Sequence, residues 1–459
     1  MNLKPLILDT RRKIYRTSGI LFLVQLFGAL GAGFFFVVQN ILGVEHMLGA
    51  LEPTNEPVLW FLMFWATDFF MVAMVALLCY FIAGLPGIAP GLALPIYFAH
   101  FAGASPVHAG ETYFAFFATP LNQGGGVNIG WIGYFLMALL CALLIKLLFA
   151  GWHWLKEKAG PKQVHKKLKL SWHQLLDQVD LIVLVLLIPV ISAAFTFVVV
   201  RYGIQLPFYA LGNAVLAPLL NLAQSHVVLV GILFGLMIGF DVVGPMSIAA
   251  FGVAATAFID QGDARLLTIY GAAFVAVGWI PLFMFLLSKL HKRVQTDNDD
   301  LNLAISGPIN AFFENMKLTV AFSMPFAMRS PFAVIPGLMA GSAATGGLVA
   351  LFGIVNQSYL TEPPLYTPHT TMAELLHRGE IYLSFTLPLR SGSWWGVRIP
   401  LALLILLGGI VGGLVIYLLR MRMVKGQKRR GTYVEPGGDI VLEMRDLARK
   451  RLGQLKKQG

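Results

Sequence analysis

The chain has 459 residues, of which 57% are hydrophobic and only 12% charged, and its mean hydropathy is +0.73. Those values exclude a string of ordinary soluble domains and make the lipid bilayer the solvent. The net charge of +11 would point to nucleic acid in a soluble protein, but here the basic residues cluster beside apolar runs, as cytoplasmic loops do between membrane spans, so no nucleic acid is expected.

Taken in chain order, the opening stretch MNLKPLILDTRRKIYR is basic and amphipathic, and residues 1–17 are expected to form a cytoplasmic surface helix rather than a cleaved signal peptide. About twenty apolar residues cross the hydrocarbon core. Stretches of that size lie at 18–42, 58–84, 127–150, 179–201, 266–289, 331–353 and 398–420. Basic clusters at Arg11 to Arg16, Lys146 to Lys169, Lys289 to Arg293 and Arg420 to Arg430 place those connections in the cytoplasm. The opposite connections carry acids, among them Glu45, Glu52, Glu56, Glu111, Asp260, Asp263, Glu362, Glu374 and Glu380. For this alternation to close, 86–103 crosses outward and 203–260 leaves the outer side and returns to it, with both termini inside.

The run 203–260 is apolar but interrupted by Pro207, Pro218, Gly239, Gly244 and Pro245, and 305–330 by Pro308, Pro325 and Pro331. Continuous helices are therefore not expected in either segment. Broken backbone at membrane depth has to be buried in protein or line a watery cavity, and in transporters it commonly forms the binding site. The expected fold is an all-α polytopic membrane protein of about ten transmembrane helices with re-entrant or broken hairpins. It spans 18–420, with a basic cytoplasmic loop at 151–178 and an outer loop at 354–396, followed by a basic cytoplasmic tail at 421–459.

Few residues in this background can carry chemistry. Cys79 and Cys141 lie inside apolar segments, without metal or redox spacing, and read as packing residues. Asp68 interrupts a strongly apolar run and reads equally well as a functional acid or as a structural hydrogen bond to a neighbouring helix. Asp241 ends VGILFGLMIGFD and precedes the Gly244-Pro245 break. A carboxylate there can accept hydrogen bonds from sugar hydroxyls while glycine lets backbone approach a ligand, or it can simply cap a re-entrant turn. Ser247 follows on the same segment. Glu314, Asn315 and Lys317 form a polar island ahead of Pro325, fit for substrate contact or for internal neutralisation. His369 follows Pro368 in the outer loop as a binding or a plain surface histidine. No nucleotide loop, nucleophile elbow or metal cluster is visible, so neither cofactor nor metal is expected, nor an ATP-driven pump.

Four stretches, in order, resemble the membrane domain (EIIC) of fructose-family phosphotransferase permeases. They are FIAGLPGIAPGL at 81–92, GGGVNIGWIGYFLMALLCALLIKLL at 124–148, GILFGLMIGFDVVGPMSIAAFGVAATAF at 231–258 and MPFAMRSPFAVIPGLMAGSAATGGLVALFG at 324–353. The resemblance implies a homodimer of roughly ten-helix protomers with re-entrant hairpins in the bacterial inner membrane. Such a subunit takes up a sugar or polyol, which a separate EIIB domain phosphorylates with phosphate delivered through EIIA from phosphoenolpyruvate. From the residues themselves, substrate contacts are expected at Asp241, Gly244, Pro245, Ser247, Glu314, Asn315, Pro325 and His369. The chain also departs from the pattern. Ala321 stands at the place of a glutamate expected to bind sugar, Met246, Ser247 and Ile248 replace Val-Asn-Lys, Ala333 replaces an arginine, and Pro-His-Gly-Gly reads Pro368-His369-Thr370-Thr371. Either Glu314 takes over from the lost glutamate, or the fold serves as a membrane sensor or an uncoupled secondary sugar transporter.

Overall fold

A computed structural model describes residues 8–21, 72–100, 129–159, 163–165, 170–313, 325–355 and 393–433, apart from positions 243, 262, 292, 293, 295 and 297. These residues are almost wholly helical: α1 (8–21), α2 (Val72–Ala83), α3 (Ile88–His100), α4 (Gly130–Ala159), α5 (Trp172–Ile182), α6 (Ile188–Val200), α7 (Leu206–Ser225), α8 (Val227–Phe240), α9 (Pro245–Gln261), α10 (Ala264–His291), α11 (Asn298–Phe313), α12 (Pro331–Leu351) and α13 (Ile399–Arg430). A short antiparallel ribbon pairs Gln163–His165 with Leu170–Ser171. It stands within the stretch expected as a basic loop, whose first residues instead continue α4 as far as Ala159.

Five described helices are long and apolar enough to cross a bilayer, over Gly130–Lys158, Val179–Gln205, Ala264–His291, Pro331–Leu351 and Trp394–Arg430. They match five of the seven expected spans. The spans at 18–42 and 58–84 run largely outside the described residues. The spans differ in their surroundings. In α10, 72% of the apolar window is buried, against 22% in Val179–Gln205, so α10 is the central helix and the other faces lipid with Leu181, Val185, Leu186 and Phe195.

The turn between α2 and α3 is set by FIAGLPG. Gly84 takes φ 81°, a conformation open to glycine, and Pro86 sits in the following tight turn. A side chain at Gly91 would press on Ala76 and Cys79, so α2 and α3 pack backbone to backbone. Cys79 Sγ lies 3.5 Å from the Ala138 carbonyl oxygen on α4, which fits its reading as a packing residue.

The longest helix seam joins α8 to α12, and glycine makes it. A Cβ added at Gly231, Gly235 or Gly239 would collide with the backbone of Gly346, of Ser342 and Ala343, or of Leu338 and Met339. These partners descend as the glycines ascend, so the helices are antiparallel. Gly341 meets Gly408 on α13 in the same way. Apolar side chains gain little by leaving lipid for one another, and helices in a membrane associate through such close backbone approach. At the edge of this slab Arg420 on α13 and Asp300 on α11 form an ion pair of 3.2 Å, 7% and 0% exposed. Removing either partner would take an opposite charge away from a buried one.

The expected interruptions need correction at four positions. Pro207 follows the π-helical turn Arg201–Gln205, through which α6 runs on into α7, and Pro218 and Pro308 sit inside continuous helices. Gly239 also lies within a helix, in the glycine seam. The observed breaks are at His226, at 241–244 and at Ser330.

Candidate functional site: a carboxylate at the tip of a re-entrant hairpin

The break after Phe240 reverses the chain. Phe234 on α8 and Phe251 on α9 both lie beside Tyr270 of α10, with ring centroids 6.3 and 5.3 Å from it. An unbroken helix would set residues 234 and 251 about 25 Å apart. The two arms therefore fold back around one tyrosine. At 14 and 17 residues they reach only about 21 and 25 Å, short of a hydrocarbon core of about 30 Å.

Asp241 stands at the tip of this hairpin. It leaves the helical conformation (φ −144°, ψ 78°) while its N–H still donates to the Met237 carbonyl at 3.3 Å. Its own carbonyl accepts from the Gly244 N–H at 2.9 Å and closes the turn that launches α9 at Pro245. The side chain is 1% exposed, and Oδ1 has no hydrogen-bond partner among the described residues. A Cβ at Gly244 or at Gly130 would strike the carboxylate. Gly130 also has φ 65°, so two independent constraints require glycine there. The C-terminus of α8 and the N-termini of α4 and α9 thus converge on a single acid.

Ser247, two residues into α9, is 1% exposed, and its hydroxyl is 3.0 Å from that of Tyr270. That contact ties the first turn of α9 to the central helix. Pro325 opens a short helix over 325–329, whose Phe326 and Ala327 are buried, and Ser330 (φ −150°, ψ 63°) separates it from α12. Continuing the register of the glycine seam puts Asp241 at the level of Pro336, about 7.5 Å along the axis from Pro331. The structure thus brings Asp241, Gly244, Pro245 and Ser247 together and carries the Pro325 segment to the same end of the α8–α12 pair. Glu314, Asn315 and His369 lie outside the described residues. Sequence reasoning missed Gly130 as part of the site. It falls in the quoted GGGVNIG stretch, but nothing local joins it to an acid more than a hundred positions later.

A buried acid whose Oδ1 has no hydrogen-bond partner among the described residues, at the tip of a broken helix on a scaffold of long apolar helices, marks a multi-pass membrane protein with a polar group at a helix break. The chain is a relative of the fructose-specific EIIC membrane subunits of the phosphotransferase system. It is 29% identical over 191 residues to the fructose permease IIC component of Bacillus amyloliquefaciens, covering 39% of this chain and 59% of that one. To the fructose-specific EIIC component of Haloferax volcanii it is 25% identical over 281 residues, 61% of this chain and 64% of the other. With the fructose-specific EIIB'BC component of Vibrio cholerae it shares 29% identity over 169 residues, 37% of this chain and 28% of the relative. The chain spans less than two thirds of the length of each of these relatives. No family model matches it, and no solved structure does.

Proposed function

We propose that the chain is the sugar-translocating subunit of a phosphoenolpyruvate-dependent phosphotransferase system in the bacterial inner membrane, with both termini in the cytoplasm. It works as a homodimer beside separate EIIB and EIIA domains, which carry the phosphoryl chemistry. Its relatives' printed names speak of fructose and of EIIB fused to EIIC, which supports a fructose-like substrate and an EIIB partner. The observation that carries the site is the buried Oδ1 of Asp241 without a hydrogen-bond partner among the described residues. A sugar hydroxyl donating to it satisfies an acceptor already removed from water, so the bond is made at full strength. Gly244 and Gly130 leave room for the carboxylate, Ser247 fixes the first turn of α9 through Tyr270, and the Pro245 and Pro325 breaks shape the cavity. Glu314, Asn315 and His369 complete the hydroxyl contacts. In this mechanism the chain positions and desolvates the sugar.

Ala321, where the family pattern has a glutamate, favours a second reading, in which the fold senses or equilibrates sugar without coupling. Uptake of labelled fructose into vesicles, with and without phosphoenolpyruvate, the general phosphotransferase proteins and the EIIA and EIIB domains, separates the two. Accumulation of fructose phosphate only when all of these are supplied supports the coupled subunit. Entry of unmodified sugar, indifferent to phosphoenolpyruvate, refutes coupling.

A further inference from the structure

The amino-terminal helix α1 is fastened to four elements that are far from it in sequence. The Arg16 guanidinium lies over the Phe81 ring of α2 at 5.3 Å, and Asp9 approaches Lys146 of α4 at 3.7 Å. Arg11 donates to the Thr432 carbonyl at 2.8 Å and to Gln427 Oε1 at 3.1 Å, just past and inside the end of α13. The fourth fastening is the most confined. Arg329, 5% exposed, donates from Nε to Ser18 Oγ at 2.8 Å, and its guanidinium lies over the Tyr15 ring at 5.3 Å.

The place of Arg329 gives that contact its meaning. It ends the short helix that begins at Pro325 and is followed by the one-residue break at Ser330 and by Pro331. Ser18 is fully buried and uses its hydroxyl twice, donating to the Tyr15 carbonyl at 2.8 Å while accepting from Arg329. A buried guanidinium that loses an acceptor costs more than a neutral group would. The broken segment therefore either moves together with α1 or first gives up this contact.

We propose that α1 is a strap: it holds the Pro325–Pro331 break through Ser18 and Tyr15, is anchored at its far end by Arg11 on α13, and must release Arg329 for the break to open. As a gate on transport this rests on the permease reading, but the strap itself is testable without a substrate. Ser330 is 9% exposed and its side chain makes no cap hydrogen bond, so Ser330→Cys is a mild reporter. Cys79 and Cys141 are fully buried, and the chain without the reporter gives the background. The full chain in proteoliposomes is labelled with a small maleimide. Labelling is expected to be slow in the otherwise intact protein and unchanged by Ser18→Thr. Ser18→Ala and, independently, Arg11→Ala should each raise the rate about tenfold, as loss of a hydrogen bond to a charged group does.

Equal rates in all four chains would overturn the strap. So would a rise in Ser18→Ala alone, which would reduce the effect to one local contact. Arg11 lies two turns from Ser18, about 10 Å along the helix, so Arg11→Ala decides the matter if Ser18→Ala fails to fold. Fructose binding measured on the same unsubstituted protein keeps the two ideas apart. Absent binding sinks the permease reading and leaves the labelling result standing.

Discussion

The glycine seam allows one substitution to be tested at two positions with opposite expected signs. At Gly151, exposed on α4, an added Cβ meets nothing within 4 Å. Gly151→Ala therefore brings only the gain in helix propensity, about 0.8–1 kcal/mol. At Gly235 the same propensity gain applies, but the Cβ runs into the backbone of Ser342 and Ala343. A backbone atom has no rotamer to turn away, so the cost falls near the upper end of the overpacking range, about 3 kcal/mol. The net expectation for Gly235→Ala is destabilisation by about 2 kcal/mol. Equilibrium unfolding in mixed detergent and SDS micelles reads both values on the full chain. A Gly235→Ala protein as stable as its parent, or a Gly151→Ala protein equally weakened, would show that the α8–α12 contact is not set by backbone approach.

Asp241→Asn keeps the size of the side chain but removes the strong acceptor; fructose affinity should fall at least tenfold, about 1.4 kcal/mol, with the folded protein intact by gel filtration, and unchanged affinity would remove Asp241 from the site. Arg420→Met should cost up to about 3–5 kcal/mol by taking the guanidinium from buried Asp300, and Arg420→Met with Asp300→Leu should recover most of it; equal losses in the single and double variants would refute this. Burial alone would raise the Asp263 carboxyl, but hydrogen bonds from Arg265 and its charge hold it below its ordinary value. Its contribution is thus present above the unfolded carboxyl's value of about 3.9 and is lost as pH falls through the lower folded one. Because Arg265 is 55% exposed, the contribution should stay below about 1 kcal/mol, read as a shallower acid-side loss of stability in Asp263→Asn.

The membrane-spanning helices among the described residues were legible because apolar length reports directly on the bilayer. Asp241 was legible for a related reason, since an acid in such a run stands out against its neighbours. Proline was over-read. At Pro207, Pro218 and Pro308 the chain stays helical, because a π-helical turn precedes Pro207 and neighbouring helices accommodate interior prolines. The glycine seam lay in view as Gly231, Gly235 and Gly239 at four-residue spacing, a pattern that marks close helix contact. The docking of α1 and the approach of Gly130 to Asp241 were not legible, since each joins positions far apart in sequence through tertiary contact alone.

The backbone character of the α8–α12–α13 contacts has a consequence for how the molecule deforms. Dispersion fades steeply with a gap of even half an ångström, and a glycine face has no side chain that could extend to bridge one. Such a seam does not stretch: it is closed, or it is lost along its length. It also gives up almost no side-chain entropy on closing. The three helices are therefore expected to move as one stiff plate, bordered by the backbone breaks at Asp241 and Ser330.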